Sequence, residues 1–198
     1  MAYLESSEYV AYGLSADTSD AWVMAASSMM ESHCRRGSLL STSYTERLRV
    51  SRQWGTAQLT YGPAGQVTAL QARYAPRAEL RDALSMEWAL TFGLPGQWVT
   101  LDPTTVNVDV TSGELRLPPN FTGLRYSEIE VTYTAGLATV PDAVRFACAQ
   151  IVKNAQATPG LNVKSSKLDT LQTQYFSDSL LDSQVQALLR PYVAERLG

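Results

Sequence analysis

Apolar positions recur every three or four residues at both ends of the chain and every second residue in the middle. Near the start, Ser6 or Ser7 is placed to cap a short helix through Tyr12 that Gly13 ends. Asp17 is placed to cap a second, longer helix reaching about Arg36. Within that second helix Trp22, Ala26, Met29 and Met30, then His33 and Cys34, form one apolar stripe, which predicts a core-facing side.

From about Ser43 to Ala135 the period is two. The runs TERLRV, AQLTY, GQVTALQARY, QWVTL, TVNVDV, ELRLP and EIEVTYT predict short strands, separated by Gly62-Pro63, Pro95-Gly96 and Pro118-Pro119-Asn120. This is a compact antiparallel β region. The segment from Pro76 to Trp88 has mixed apolar spacing and leaves helical turns and an outward loop both open.

Helical periodicity returns at Val140. Pro141 and Asp142 suit a first turn, because Pro lacks the N–H that would go unsatisfied there and a carboxylate favours the positive helix end. Val144, Cys148, Ile151 and Ala155 share a face, and Thr158, Pro159 and Gly160 close the helix. The polar stretch LNVKSSKLDTLQTQY, expected to be extended or mobile, leads to a last helix beginning near Ser179 with Asp182 as a capping partner. It carries Leu181, Val185, Leu188 and Tyr192 on one face, and Pro191 kinks or ends it. The expected class is α+β: residues 1–42 and 136–198 form a helical bundle from both chain ends, and residues 43–135 form an inserted antiparallel β region.

The 198 residues suffice for one ordinary core. At 45% hydrophobic and 18% charged the chain is too apolar for a disordered one. Its formal net charge of −3 is spread along both halves, without the clustered Lys and Arg that tight binding to nucleic acid requires. The start MAYLESSEYVAYG lacks the basic region and apolar run of a secretory signal, and no stretch has the length of a membrane span, so synthesis and residence in the cytoplasm are expected. Cys34 and Cys148 lie in apolar helical patterns and are expected to pack as free thiols.

No catalytic constellation emerges. His33 sits on the apolar stripe with no nucleophile motif beside it, and one His with two distant Cys assembles no metal site. No phosphate-cradling glycine loop is present, so no cofactor is expected. Glu128 and Glu130 look like paired carboxylates, but alternation puts Ile129, Val131 and Tyr133 on the opposite side and the glutamates on a solvated face. Arg35-Arg36 reads as a solvated helix end, and Lys164 and Lys167 as a polar linker that a partner is able to order. Exposed aromatics of the insertion, such as Trp54, Trp88 or Trp98, suit an alternative role as a β-rich ligand- or carbohydrate-binding module.

Four places resemble the head-to-tail connector (adaptor) proteins of long-tailed bacteriophages and related phage-like particles. They are the helix end ESHCRRGSL, the run EIEVTYTAGLATVPDAVRFACAQIV from Glu128 to Val152, the segment VKSSKLDTLQTQYFSDS, and Leu-Leu-x-Pro-Tyr at Leu188 to Tyr192. The likeness covers both helical ends and only poorly the middle, from about Arg52 to Leu124. The chain departs from the family's Tyr-rich end to the third helix, reading NAQATPG instead. What the resemblance implies is a non-enzymatic virion subunit of the neck, in a homo-oligomeric ring of about 12 copies bound under the portal protein. Such a ring extends the DNA channel, passes DNA without sequence-specific binding, and offers a platform to a stopper or tail-terminator protein. The portal or partner interface expected on this reading is Lys164, Lys167, Tyr175, Phe176, Leu181, Val185, Leu188, Leu189 and Tyr192.

Overall fold

The computed structural model describes residues 2–51, 53–76, 87, 90–118, 125–157, 165–168, 171–174 and 180–194, with the backbone alone for 165–168 and 171–174. Helices and antiparallel sheets are both present, giving a mixed α+β chain. It divides into two compact units: Met1–Leu39 with Thr139–Val193, and Leu40–Ala138 with Ala194–Gly198.

In the helical unit, α1 spans Asp20–His33, α2 Asp142–Ala157 and α3 Ser183–Leu189. The predicted first helix is reduced to a 3-10 turn at Ser6–Glu8, preceded by Glu5 rather than capped by a serine. A segment this short before Gly13 recovers too few hydrogen bonds to offset helix nucleation. The second helix starts at a different cap from the one predicted. Ser15 to Thr18 close a turn of their own, with the Thr18 N–H donating to the Ser15 carbonyl at 3.0 Å, so Ser19 becomes the cap and accepts from the Ala21 N–H.

The same helix ends earlier than expected. Arg35 takes a left-handed φ of 55°, and the Arg36 N–H reaches back to the Glu31 carbonyl at 3.1 Å while that of Arg35 reaches Ser32 at 3.2 Å. These two bonds are a Schellman closure, built here on an arginine where glycine is usual. The predicted stripe holds at Ala26, Met30 and Cys34, which are buried together with Val23 and Ser27, but Met29 and His33 are half-buried and Trp22 is 47% exposed.

Helix α2 begins as expected and buries Val144, Ala147, Cys148, Ala149, Ile151 and Val152. It packs on α1 and on α3. The predicted stop at 158–160 lies outside the described residues. Between α2 and α3 the polar stretch contains a two-stranded antiparallel hairpin, β8 (Ser165–Leu168) with β9 (Leu171–Gln174). Asp182 is itself the cap of α3, accepting from the Val185 N–H at 2.7 Å, and the helix stops just before Pro191.

All seven predicted strands of the middle region form. They are β1 (Thr42–Arg49), β2 (Thr56–Gln58), β3 (Ala64–Tyr74), β4 (Trp98–Leu101), β5 (Asn107–Val108), β6 (Glu114–Arg116) and β7 (Tyr126–Ala135). One sheet has the order β1-β7-β3-β4 and a second the order β2-β6-β5. Every pairing is antiparallel. The two sheets share one core, to which Ala57, Leu59, Leu115 and Leu117 contribute from the smaller and Leu70, Ala72, Ile129, Val131 and Tyr133 from the larger. Central β7 alternates as its sequence dictates, with Ile129, Val131 and Tyr133 inward and fully buried. Gly136 follows it at φ 122°, where a Cβ would lie 2.6 Å from the Leu40 carbonyl oxygen, so only glycine lets the chain pass. Most of Pro76 to Trp88 falls outside the described residues.

Candidate functional site

Three places in the two units carry side chains arranged for more than packing. The first is the end of the helical unit. The Asn154 amide on α2 donates to the Leu180 carbonyl at 3.2 Å and to Asp182 Oδ2 at 3.1 Å, while Asp182 Oδ1 caps α3. One carboxylate therefore starts the last helix and anchors it to α2. Val185 and Leu189 are buried, while Leu181, Leu188 and Tyr192 remain half-buried. Of the expected interface on this helix, these last three are the ones a partner reaches without unpacking it. Lys167 lies on β8 opposite Gln172. Lys164, Tyr175 and Phe176 fall outside the described residues.

Polar ties hold the N-terminal segment of this unit. The Tyr12 hydroxyl donates to Asp142 Oδ1 at 2.9 Å, and Arg145 pairs with Glu8 at 3.3 Å. The Tyr3 hydroxyl donates to Glu31 at 2.7 Å and accepts from the Leu39 N–H at 2.8 Å; burial pushes its pKa up to about 12. Ser27 Oγ donates to the Val23 carbonyl at 2.8 Å and lies 3.8 Å from Cys148 Sγ. Cys34 and Cys148 are free and buried. Burial holds both thiols above their ordinary range, Cys34 at about 11, which makes them poor nucleophiles at neutral pH. Arg36, read from sequence as solvated, is only 8% exposed. Its charge partly offsets the effect of burial on Cys34. Val10, Trp22, Met24 and Phe146 present apolar surface.

The second place is the outer face of the four-stranded sheet. Glu128 pairs with Arg47 from β1 and, at 3.4 Å, with Arg73 from β3, and the Arg47 guanidinium stacks 4.9 Å over the Trp98 ring of β4. Hydrogen bonding from Arg47 holds the Glu128 carboxyl below the usual carboxylate range. A general acid needs the opposite shift, so Glu128 is not poised as the acid of a glycosidase pair. Glu130 is exposed on the same face.

The third place is an open groove of about 580 Å³ in the β unit, lined by Arg49, Val50, Ser51, Trp54, Thr56, Ala57, Gln58 and Glu114. Trp54 is 71% exposed beside it, and Trp98 is 37% exposed on the sheet face. Trp88 lies outside the described residues. Sequence reasoning missed an inward carboxylate behind this unit. Glu46 accepts from the Tyr133 hydroxyl at 2.6 Å and from the Thr60 N–H at 3.0 Å, and burial drives the Tyr133 pKa up. The signal was present, because Glu46 alternates in phase with Tyr44 and Leu48.

Among the described residues no group of three or more His, Cys, Asp or Glu is placed to hold a metal ion, and no helix is long and apolar enough to cross a membrane. His33 lies half-buried at the end of α1.

No protein-family model matches the chain, and no curated protein matches it. Among solved structures, the chain is similar to one in the neck of an empty gene transfer agent (GTA) particle computed with C6 symmetry. The TM-score is 0.51 at 19% identity, covering 99% of this chain and 92% of that one. A chain in the virion of a native GTA particle aligns over the same shares with a TM-score of 0.49 and 19% identity. The first likeness shows a shared fold along nearly the whole length of both chains.

Proposed function

We propose that this chain is a structural subunit of the neck of a phage-like particle, an adaptor that forms a ring beneath the portal. The observation that carries the reading is the end-to-end fold likeness to a GTA neck chain, which takes in the helical unit and the β insertion together. The resemblance of Glu128 to Val152 to phage connector proteins supports it independently. On this reading the two chain ends complete a helical bundle and the β region projects as an insertion. About a dozen copies close head to tail, since a ring needs two different faces on each subunit. Portal protein binds on one side and a stopper or tail-terminator protein on the other. DNA passes through a lumen whose subunits, at a net charge of −3 each, do not grip it. The subunit joins the virion after synthesis in the host cytoplasm, and its role is architectural rather than catalytic.

Sedimentation velocity over a wide concentration range, alone and with portal rings, tests this. A closed species of about a dozen copies, or co-sedimentation with the portal, is expected. A monomer that ignores the portal at every concentration overturns it. The groove beside Trp54 favours one second reading, a ligand- or carbohydrate-binding module. A shift in tryptophan fluorescence on adding glycans, abolished by Trp54→Ala, is its signature.

A further inference from the structure

Each of the three sheets ends in strands that meet no further partner strand among the described residues, and two of these edges stand out. In the four-stranded sheet β1 is a terminal strand and pairs only with β7. The Val50 N–H donates to the Ser127 carbonyl at 2.9 Å, which sets the phase of that ladder. In an antiparallel pair alternate residues turn their backbone groups toward the partner. Thr42, Tyr44, Glu46 and Leu48 therefore face β7, while Ser43, Thr45, Arg47 and Arg49 direct N–H and C=O away from it.

Proteins blunt such edges with proline, unpaired charges, bulges or brevity. At the other end of the sheet β4 is only four residues long. The eight residues of β1 contain no Pro, Glu46 and Arg47 are engaged within the unit by Tyr133 and Glu128, and the ladder with β7 runs without a register shift. The second open edge belongs to the β8–β9 hairpin, which forms a two-stranded sheet of its own. A lone hairpin is marginal in water and gains most from a third strand.

We infer that the β8–β9 hairpin of one copy adds to the β1 edge of the next, continuing the four-stranded sheet across the subunit boundary. This inference rests on the ring reading above. Donor hairpin and acceptor strand are different surfaces, so their pairing is head to tail, as ring closure demands. A four-residue strand, about 13 Å long, fits within the roughly 23 Å from Ser43 to Arg49.

The test uses the complete chain and the substitution Thr45→Pro, which removes an outward N–H, keeps the backbone bonds of the β7 ladder and gives up the exposed hydroxyl contact of Thr45 with Thr132 at 2.9 Å. Sedimentation velocity, with and without portal rings, is expected to show wild-type rings and at least tenfold weaker association of the variant, which still unfolds in one cooperative transition. A folded Thr45→Pro that assembles like wild type overturns the inference and leaves the ring reading standing. A wild-type chain that never associates overturns both. Should the proline variant fail to fold, cross-linking decides. Copies carrying Thr45→Cys are mixed with copies carrying one cysteine at each position of Ser165–Leu168 and Leu171–Gln174. The buried Cys34 and Cys148 stay silent. A disulfide between the two kinds of copy is expected at one or more hairpin positions, and rings without any such disulfide overturn the inference.

Discussion

The β unit and the helical unit bury their apolar side chains by different means. In the β unit one strand organises the rest: β7 lies between β1 and β3, and its Ile129, Val131 and Tyr133 sit at the centre of a core shared by two sheets. In the helical unit single polar contacts join segments far apart in sequence. Tyr12 reaches Asp142, Tyr3 reaches Leu39, and Asn154 reaches Asp182. A core built on alternation spreads its stability over many contacts, whereas a helix of seven residues depends on its cap and its anchor.

The sharpest way to break this comparison is Ile129→Ala, which opens a cavity in the strand both neighbours share. A loss of roughly 2–5 kcal/mol is expected in urea unfolding. Hydrogen exchange should show protection falling in β1, β3 and β7 while α1 and α2 keep theirs; equal loss in both units would show that they unfold as one. Next comes Tyr133→Phe, which removes a hydrogen bond to Glu46 and leaves the Tyr61 N–H without the acceptor it meets at 3.1 Å. Its cost is about 1–3 kcal/mol, measured the same way.

In the helical unit Asp182→Ala removes both the cap of α3 and the contact with Asn154, costing about 0.5–2 kcal/mol. Exchange of the amides of Ser183–Leu189 should accelerate far more than that of α2. If α2 loosens equally, the anchor matters more than the cap.

The smallest effect is a pH dependence. Arg47 lowers the folded pKa of Glu128, so the stabilisation is present above the unfolded carboxylate range, about 4.3, and is lost as pH falls through the folded value. At a partly exposed pair it amounts to less than about 1 kcal/mol. Urea midpoints of Glu128→Gln should fall less than those of wild type between pH 7 and pH 3, and the difference should shrink in high salt.

Much of this architecture was legible in the residues. The period-two runs located every strand from β1 to β7, and Pro141 with Asp142 located the start of α2. The helix ends were less so. Whether Asp17 or Ser19 caps α1 depended on a turn at Ser15 that competes for the same backbone, and the stop at His33 depended on Arg35 accepting a left-handed φ. The exchange at the start of the α1 stripe, with Trp22 outward and Val23 inward while Ala26, Met30 and Cys34 stay buried, has a similar origin. A hydrophobicity pattern ranks Trp as core, but the packing of α1 against α2 decides which side is closed.

By itself, then, the sequence determined the features that spacing along one segment controls: helix or strand, which alternate residues of β7 are apolar, and the absence of a motif for metal or nucleophilic chemistry. Tertiary structure alone decided what depends on residues distant in the chain. It set the pairing of β7 between β1 and β3, the carboxylate of Glu46 beneath Tyr133, the two arginines that share Glu128, and the open edge of β1. The physical reason is that periodicity reports a local backbone geometry, whereas a hydrogen bond or an unpaired edge exists only once the chain has chosen its neighbours.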